Sequence, residues 1–340
     1  MVDDARVGVV AVGSWPPPFG LRPRLRPFWR NEVGEDDPVV RDALVAAARI
    51  AMDEMLACGI DEIAGGEVFA PDFVHTVPPR LRGLELVARR DIAAGQDGIG
   101  RYRIAGPISA PDGLGHAKAF RREVAIEPAL RRVAVPSPFT IALSFPDDPR
   151  LEAAMDDLVA VVRAEIADVV AAGATEVQLD APAESIACAL GRRPVAQLAG
   201  WIAAALDAVP AGVRRSMHVC LGDIARKPST SVQNLRSLLP LLGAIEGRVD
   251  RVLLECSYDG QWDEHRLLAD VPASMSVVAG IGDVKSAPAP VDHYRRRIDA
   301  LADVVGPDRL DVSASCGCGR MPHDDAIALN RNLVKATRSI

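Results

Sequence analysis

Apolar and polar positions follow two rhythms along this chain. Short apolar runs at 7–12, 60–64, 139–143, 176–179, 217–221, 251–255, 276–279 and 310–315 read as buried strands. Between most of them, apolar residues recur at helical spacing: Asp36–Ala57, Asp147–Ala172, Pro194–Val209, Ser231–Ile245, His265–Leu268, Val291–Val305 and His323–Thr337. Asp37-Pro38 marks the start of the first helix and Cys58-Gly59 its end. Strand and helix alternating about eight times predict an α/β fold, a (β/α)8 TIM barrel forming one domain over residues 1–340. Residues 76–136 break the rhythm, and they predict an irregular insertion between strands 2 and 3, with Tyr102–Ala105 in a side hairpin.

In such a barrel the chemistry sits where the strands end. His218 and Cys220 are two residues apart on a predicted strand, so both side chains leave one face. Leu253-Leu254-Glu255-Cys256 ends another strand in a carboxylate, and Asp311–Gly319 ends a third in Cys316-Gly317-Cys318. A histidine, two cysteines and a glutamate suit Zn²⁺, with one position exchangeable for substrate. Taken alone, His218 and Cys220 also suit a plain core strand. Three strand ends that each finish in a ligand-type residue favour the metal.

Charge and cysteine usage narrow the partners. A net charge of −7 without a basic run argues against nucleic acid or an anionic membrane surface. Nearly all the positive charge is arginine, so Lys285, beside Lys118, Lys227 and Lys335, stands out. Six cysteines in 340 residues are no disulfide framework, and in a reducing compartment they are free thiols or ligands. No leader pattern and no apolar run near ~20 residues is present, so the expected location is cytoplasmic.

Several pieces in order give a family likeness: Val12-Gly13-Ser14-Trp15-Pro16, Gly66-Glu67 with Asp72-Phe73, Pro138-Phe139-Thr140-Ile141, Gln178–Ala183, His218-Val219-Cys220, Leu254-Glu255, Gly282–Ser286 and Cys316-Gly317. In these the chain resembles the C-terminal catalytic domain of cobalamin-independent methionine synthase, and more closely its short single-barrel relatives. The resemblance implies zinc held by His218, Cys220, Glu255 and Cys316. It implies that Ser14 helps hold the carboxylate of homocysteine and that Glu67 and Asp180 bind its ammonium group. Two neighbouring acids are a natural seat for an amine.

The chain also departs from the family. Ser144 stands where folate-using members carry a stacking tryptophan. Lys285 replaces the histidine that protonates the departing folate nitrogen. Ala181 replaces an acid, and Ala70 an arginine.

The implied reaction is methyl transfer to a zinc-bound thiolate, from a methyl-folate or a methyl-corrinoid protein. A folate amine leaves only when protonated, which assigns Lys285 or Asp283 to the catalytic proton relay; a corrinoid needs no acid. Two other readings are an alkyl transfer to a different thiol, as in epoxide–coenzyme M transferases, and a non-catalytic zinc barrel.

Overall fold

Parallel strands need long crossovers, and the helical segments between the apolar runs supply them. In a computed structural model, which describes residues 6–29, 32–69, 76–90, 99–223 and 226–338, nine strands form. They are β1 (Gly8–Val9), β2 (Arg82–Arg90), β3 (Ile99–Ser109), β4 (Arg132–Pro136), β5 (Glu176–Asp180), β6 (Arg214–Val219), β7 (Arg251–Glu255), β8 (Ser276–Gly282) and β9 (Leu310–Ala314). Seven are parallel, in the order β1-β9-β8-β7-β6-β5-β4. The segment 60–66 runs along the free side of β1 through the parallel bridges Val10↔Glu62 and Ser14↔Gly66. It supplies the eighth stave of a (β/α)8 barrel. Among the described residues no strand pairing links it to β4, so the barrel has one seam without a ladder.

Side chains from around the ring meet inside it. Val10, Val12, Leu253 and Val278 form a small apolar cluster of their own, separate from the larger core between the staves and the outer helices. Below them Arg251 is buried. Its guanidinium lies 2.6 Å from Glu62, 3.0 Å from Asp311 and 3.6 Å from Glu176, so one residue of β7 reaches carboxylates on the 60–66 stave, β9 and β5.

Local chemistry accounts for where the elements differ from expectation. The apolar run 139–143 is no strand: Pro138–Ile141 is a short helix, followed by a 3-10 turn at Ala142–Ser144. Ser137 caps it by accepting from Thr140 N at 2.9 Å, and Pro138 suits the first turn. The third stave of the barrel is instead β4, whose start is hidden in the sequence by Arg131-Arg132. Within the predicted helix 231–245 only Leu239–Ala244 is helical. His265–Asp270 is 3-10 helix. The helix Pro38–Cys58 forms as expected: Asp37 accepts from Val39 N and Val40 N, and Gly59 closes it at φ 84°.

The irregular region holds the antiparallel pair β2–β3 and the helix His116–Ile126. Ala70, Asp72, Phe73 and His75 lie outside the described residues. No helix among the described residues is long and apolar enough to cross a membrane.

One buried carboxylate docks the helix His116–Ile126. Glu165, on the helix Leu151–Ala171, accepts from Leu114 N (2.6 Å), His116 N (2.6 Å) and Ala117 N (3.3 Å) and faces the His116 ring at 3.2 Å. Burial alone would raise its pKa, but the His116 ring and these amides win and hold it at about 2. The folded value lies below the unfolded one, so this stabilisation is complete above about pH 4.5 and lost as pH falls toward 2. Glu165→Gln is expected to cost on the order of 3 kcal/mol at pH 7. Urea melts of both proteins should show that gap narrowing between about pH 4.5 and pH 2; a gap independent of pH would refute the assignment.

Candidate functional site

Register places the rim residues. Met217 pairs with Val252 and His218 with Leu253, while Asp180 pairs with His218, so the ends of β5, β6 and β7 lie side by side. Cys220 follows β6 directly, and Cys316 lies just beyond β9. The ligand atoms of His218, Cys220 and Cys316 lie within 4.8 Å of one another, and the two sulfurs are 3.8 Å apart.

His218 Nδ1 faces Leu253 O at 3.1 Å, while its Nε2 is buried without a partner. This is how a protein orients an imidazole that ligates a metal through Nε2. Hydrogen bonding from Cys220 and the nearby His218 hold the Cys316 thiol well below its ordinary pKa, whereas the same bond and burial push Cys220 well above. Burial works against protonation of His218, but Cys316 and Asp180 bring its pKa up. Two soft sulfurs and an orphaned imidazole nitrogen fit Zn²⁺.

The other expected ligand stands beside this group rather than in it. Glu255 Oε1 binds Lys285 Nζ at 2.6 Å, and Oε2 accepts from Leu221 N at 2.7 Å. Burial raises the Glu255 pKa against the pull of Lys285, and Lys285 in turn is raised by Glu255 despite its own burial. Asp283 shapes the turn that carries Lys285, accepting from Lys285 N (2.9 Å) and Ser286 Oγ (2.5 Å).

The rival thiols are elsewhere. Cys318 packs in the core with Asn330 Nδ2 at 3.6 Å from its sulfur, and burial pushes its pKa to about 12. Cys256 points into the core on the other face of its strand, its pKa also pushed by burial to about 12.

Ser14, Glu67 and Asp180 flank the centre. The Cys316–Gly319 loop wraps Ser14: Cys318 N donates to Ser14 O at 2.8 Å and Gly319 N to Ser14 Oγ at 3.2 Å. Cβ atoms at Gly317 and Gly319 would collide with that hydroxyl, which explains the Cys-Gly-Cys-Gly run. Glu67 sits at φ 55°, a conformation a non-glycine residue rarely adopts. That backbone sends its carboxylate into the space where a Cβ on Gly13 would stand. Asp180 accepts from Gln178 Nε2 at 2.8 Å, and burial pushes its pKa up.

Glu67 and Asp180 line one cavity along the open seam, about 610 Å³ including space open to solvent. Glu123 and Arg132 line it too, and sequence reading missed both. Glu123 is buried with its pKa pushed by burial to about 7, and its carboxylate occupies the space beside Gly65. Arg132 is buried with Nη1 unpartnered. The available signal was an acid on the apolar stripe His116, Ala119, Phe120, Glu123 of a helix.

Together the parallel barrel and its reactive rim define an enzyme of the (β/α)8 class. The family model "Cobalamin-independent synthase, Catalytic domain" matches residues 8–339, and the chain belongs to that family, a methyltransferase of the methionine synthase type. A methionine synthase of Methanothermobacter marburgensis is 27% identical over 96% of this chain and 97% of its own length. A 5-methyltetrahydropteroyltriglutamate–homocysteine methyltransferase of Nitratidesulfovibrio vulgaris is 26% identical over 97% of this chain, which spans only 41% of that protein. Among solved structures, a B12-independent methionine synthase from Shewanella sp. W3-18-1 superposes with a TM-score of 0.79 at 17% identity, covering 98% of this chain and 97% of that one.

The geometry separates the cysteines by role. Cys220→Ser and Cys316→Ser should each remove most bound divalent metal, whereas Cys318→Ser should keep it; elemental analysis of the purified variants decides. Gly13→Ala should displace the Glu67 carboxylate and weaken binding of an amino-acid thiol, measured calorimetrically, with an unchanged affinity counting against the pocket.

Proposed function

We propose that this chain is a zinc-dependent S-methyltransferase that converts homocysteine to methionine. The observation that carries the reading is the convergence of His218, Cys220 and Cys316 at the C-terminal rim, with His218 Nε2 left for an ion. Zinc there would supply Lewis acidity that keeps a bound thiol deprotonated near neutral pH, where a free one is mostly protonated. Glu255 stands on the adjoining strand end, the further ligand position that the family likeness supplies. Glu67 and Asp180 take the ammonium group of the acceptor, and Ser14 takes part in holding its carboxylate. This fixes the sulfur for in-line attack on a methyl group. The barrel of residues 1–340 acts as one catalytic domain.

The donor is a methyl-folate or a methyl-corrinoid. The relatives' names point to the folate, the donor named in the Nitratidesulfovibrio protein. Ser144 points the other way: it is buried and offers no ring for a pterin to stack on. For a folate donor, the Asp283–Lys285 turn is the assigned source of the proton that the leaving amine needs. Ala181, fully buried where the likeness expects an acid, favours a second reading in which another thiol is the acceptor.

Zinc-loaded protein should methylate homocysteine and lose that activity on chelation. Assays that pair homocysteine or 2-mercaptoethanesulfonate with methyl-folate or methylcobalamin separate the readings. Product from mercaptoethanesulfonate alone would replace homocysteine as acceptor. Brisk turnover with folate alone would show that the missing ring at Ser144 does not matter.

A further inference from the structure

Two side chains outside the ligand cluster hold the stretch that follows Ser14. Glu54, on the helix Pro38–Cys58, accepts from Trp15 Nε1 at 2.7 Å with one carboxylate oxygen and faces His323 Nε2 at 2.9 Å with the other. His323, the first residue of the helix His323–Thr337, reaches Pro16 O through Nδ1 at 2.9 Å. A carbonyl only accepts, so Nδ1 is the donor there. Trp15 is buried, while the side chains of His323 and Glu54 are 22% and 25% exposed.

The segment from Cys316 to His323 is thus tied to Ser14–Pro16 by Cys318 N to Ser14 O, Gly319 N to Ser14 Oγ and His323 Nδ1 to Pro16 O. A bond from Trp15 N to Gly66 O (3.1 Å) ties the stretch to the 60–66 stave, on the opposite side of β1 from β9. Because Ser14 Oγ accepts from Gly319 N, its own proton is left to donate elsewhere.

We propose that Glu54 and His323 are positioning residues that fix the spacing between the Cys316 loop and Ser14, and through it the length of amino-acid thiol the site takes. This rests on the acceptor reading above. Such a thiol bridges the two loops, with its sulfur at the ion beside Cys316 and its carboxylate at Ser14. The number of methylenes between those ends must match the gap. Two of the bonds between the loops fall on Ser14 itself and act as a hinge. His323 adds the point beyond the hinge that stops rotation, and Glu54 holds both His323 and the Trp15 ring.

The test reads thiol affinity from the thiolate-to-cobalt charge-transfer band of the Co²⁺ protein, with metal content measured alongside. The thiols are homocysteine, cysteine as the shorter homologue, the homologue one methylene longer, and 2-mercaptoethanol, which has neither carboxylate nor amine. Wild type should favour homocysteine over either homologue by roughly 10-fold or more, the usual worth of one methylene. Glu54→Leu and His323→Phe, which cut the clamp at different links, should each lower that preference by roughly 10-fold through weaker homocysteine binding. Both should retain metal and bind 2-mercaptoethanol as the wild type does. Glu54→Gln should keep the preference, because its amide oxygen accepts from Trp15 and its amide nitrogen donates to His323.

An unchanged preference in Glu54→Leu and His323→Phe would overturn the proposal, as would a wild type indifferent to chain length. Equal weakening of all the thiols, or loss of metal, would also overturn it, because the two residues would then be general supports of the fold. If one variant does not fold, the other decides. Wild type that binds homocysteine no better than 2-mercaptoethanol would instead overturn the acceptor reading, and this inference with it.

Discussion

Arg251 sets the height at which the barrel staves stand relative to one another. A buried guanidinium is costly unless carboxylates pair with it. Here the partners are Glu62, Glu176 and Asp311, each from a different stave. Slipping any of these staves by one residue would turn its carboxylate to the outer face and leave the charge uncompensated. The polar floor therefore acts as a gauge, and the rim several residues higher inherits its registration. That is why a side chain after β6 and another after β9 arrive at the same point without touching along the way.

The rim was legible in the sequence because its signal is local. An apolar run that ends in His218-Val219-Cys220, in Glu255 or in Cys316 carries both the strand and the ligand in one stretch. The same locality misled at Phe139–Leu143, where an equally apolar run is a short helix under a Ser137 cap. It also hid β4 behind two arginines, one of which, Arg132, turns inward. Glu123 and Arg132 were invisible as pocket residues because what they face is decided by the fold. Likewise nothing at Lys285 announces Glu255, 30 positions earlier, as its partner.

The two sides of the proposed reaction differ in how much of the site is built. The acceptor side has a cradle: Gly13 makes room for Glu67, Gly317 and Gly319 make room for Ser14, and Gln178 steadies Asp180. The glycine contacts are close approaches that a larger side chain would block, so the backbone there is shaped around the functional group. The donor side shows no comparable shaping at Ser144, a small residue buried in a turn. At that position the chain offers no aromatic platform.

Ser14 and Gly319 meet although they are 305 positions apart. The first and last staves are neighbours, so the centre joins the two ends of the barrel. Contacts of such long separation form late, since closing a loop of that size precedes any reward from the contact. A nascent chain that has not yet delivered Cys316 holds only His218 and Cys220 of the three-residue cluster. The cluster is therefore complete only once β9 has been made and docked beside β1.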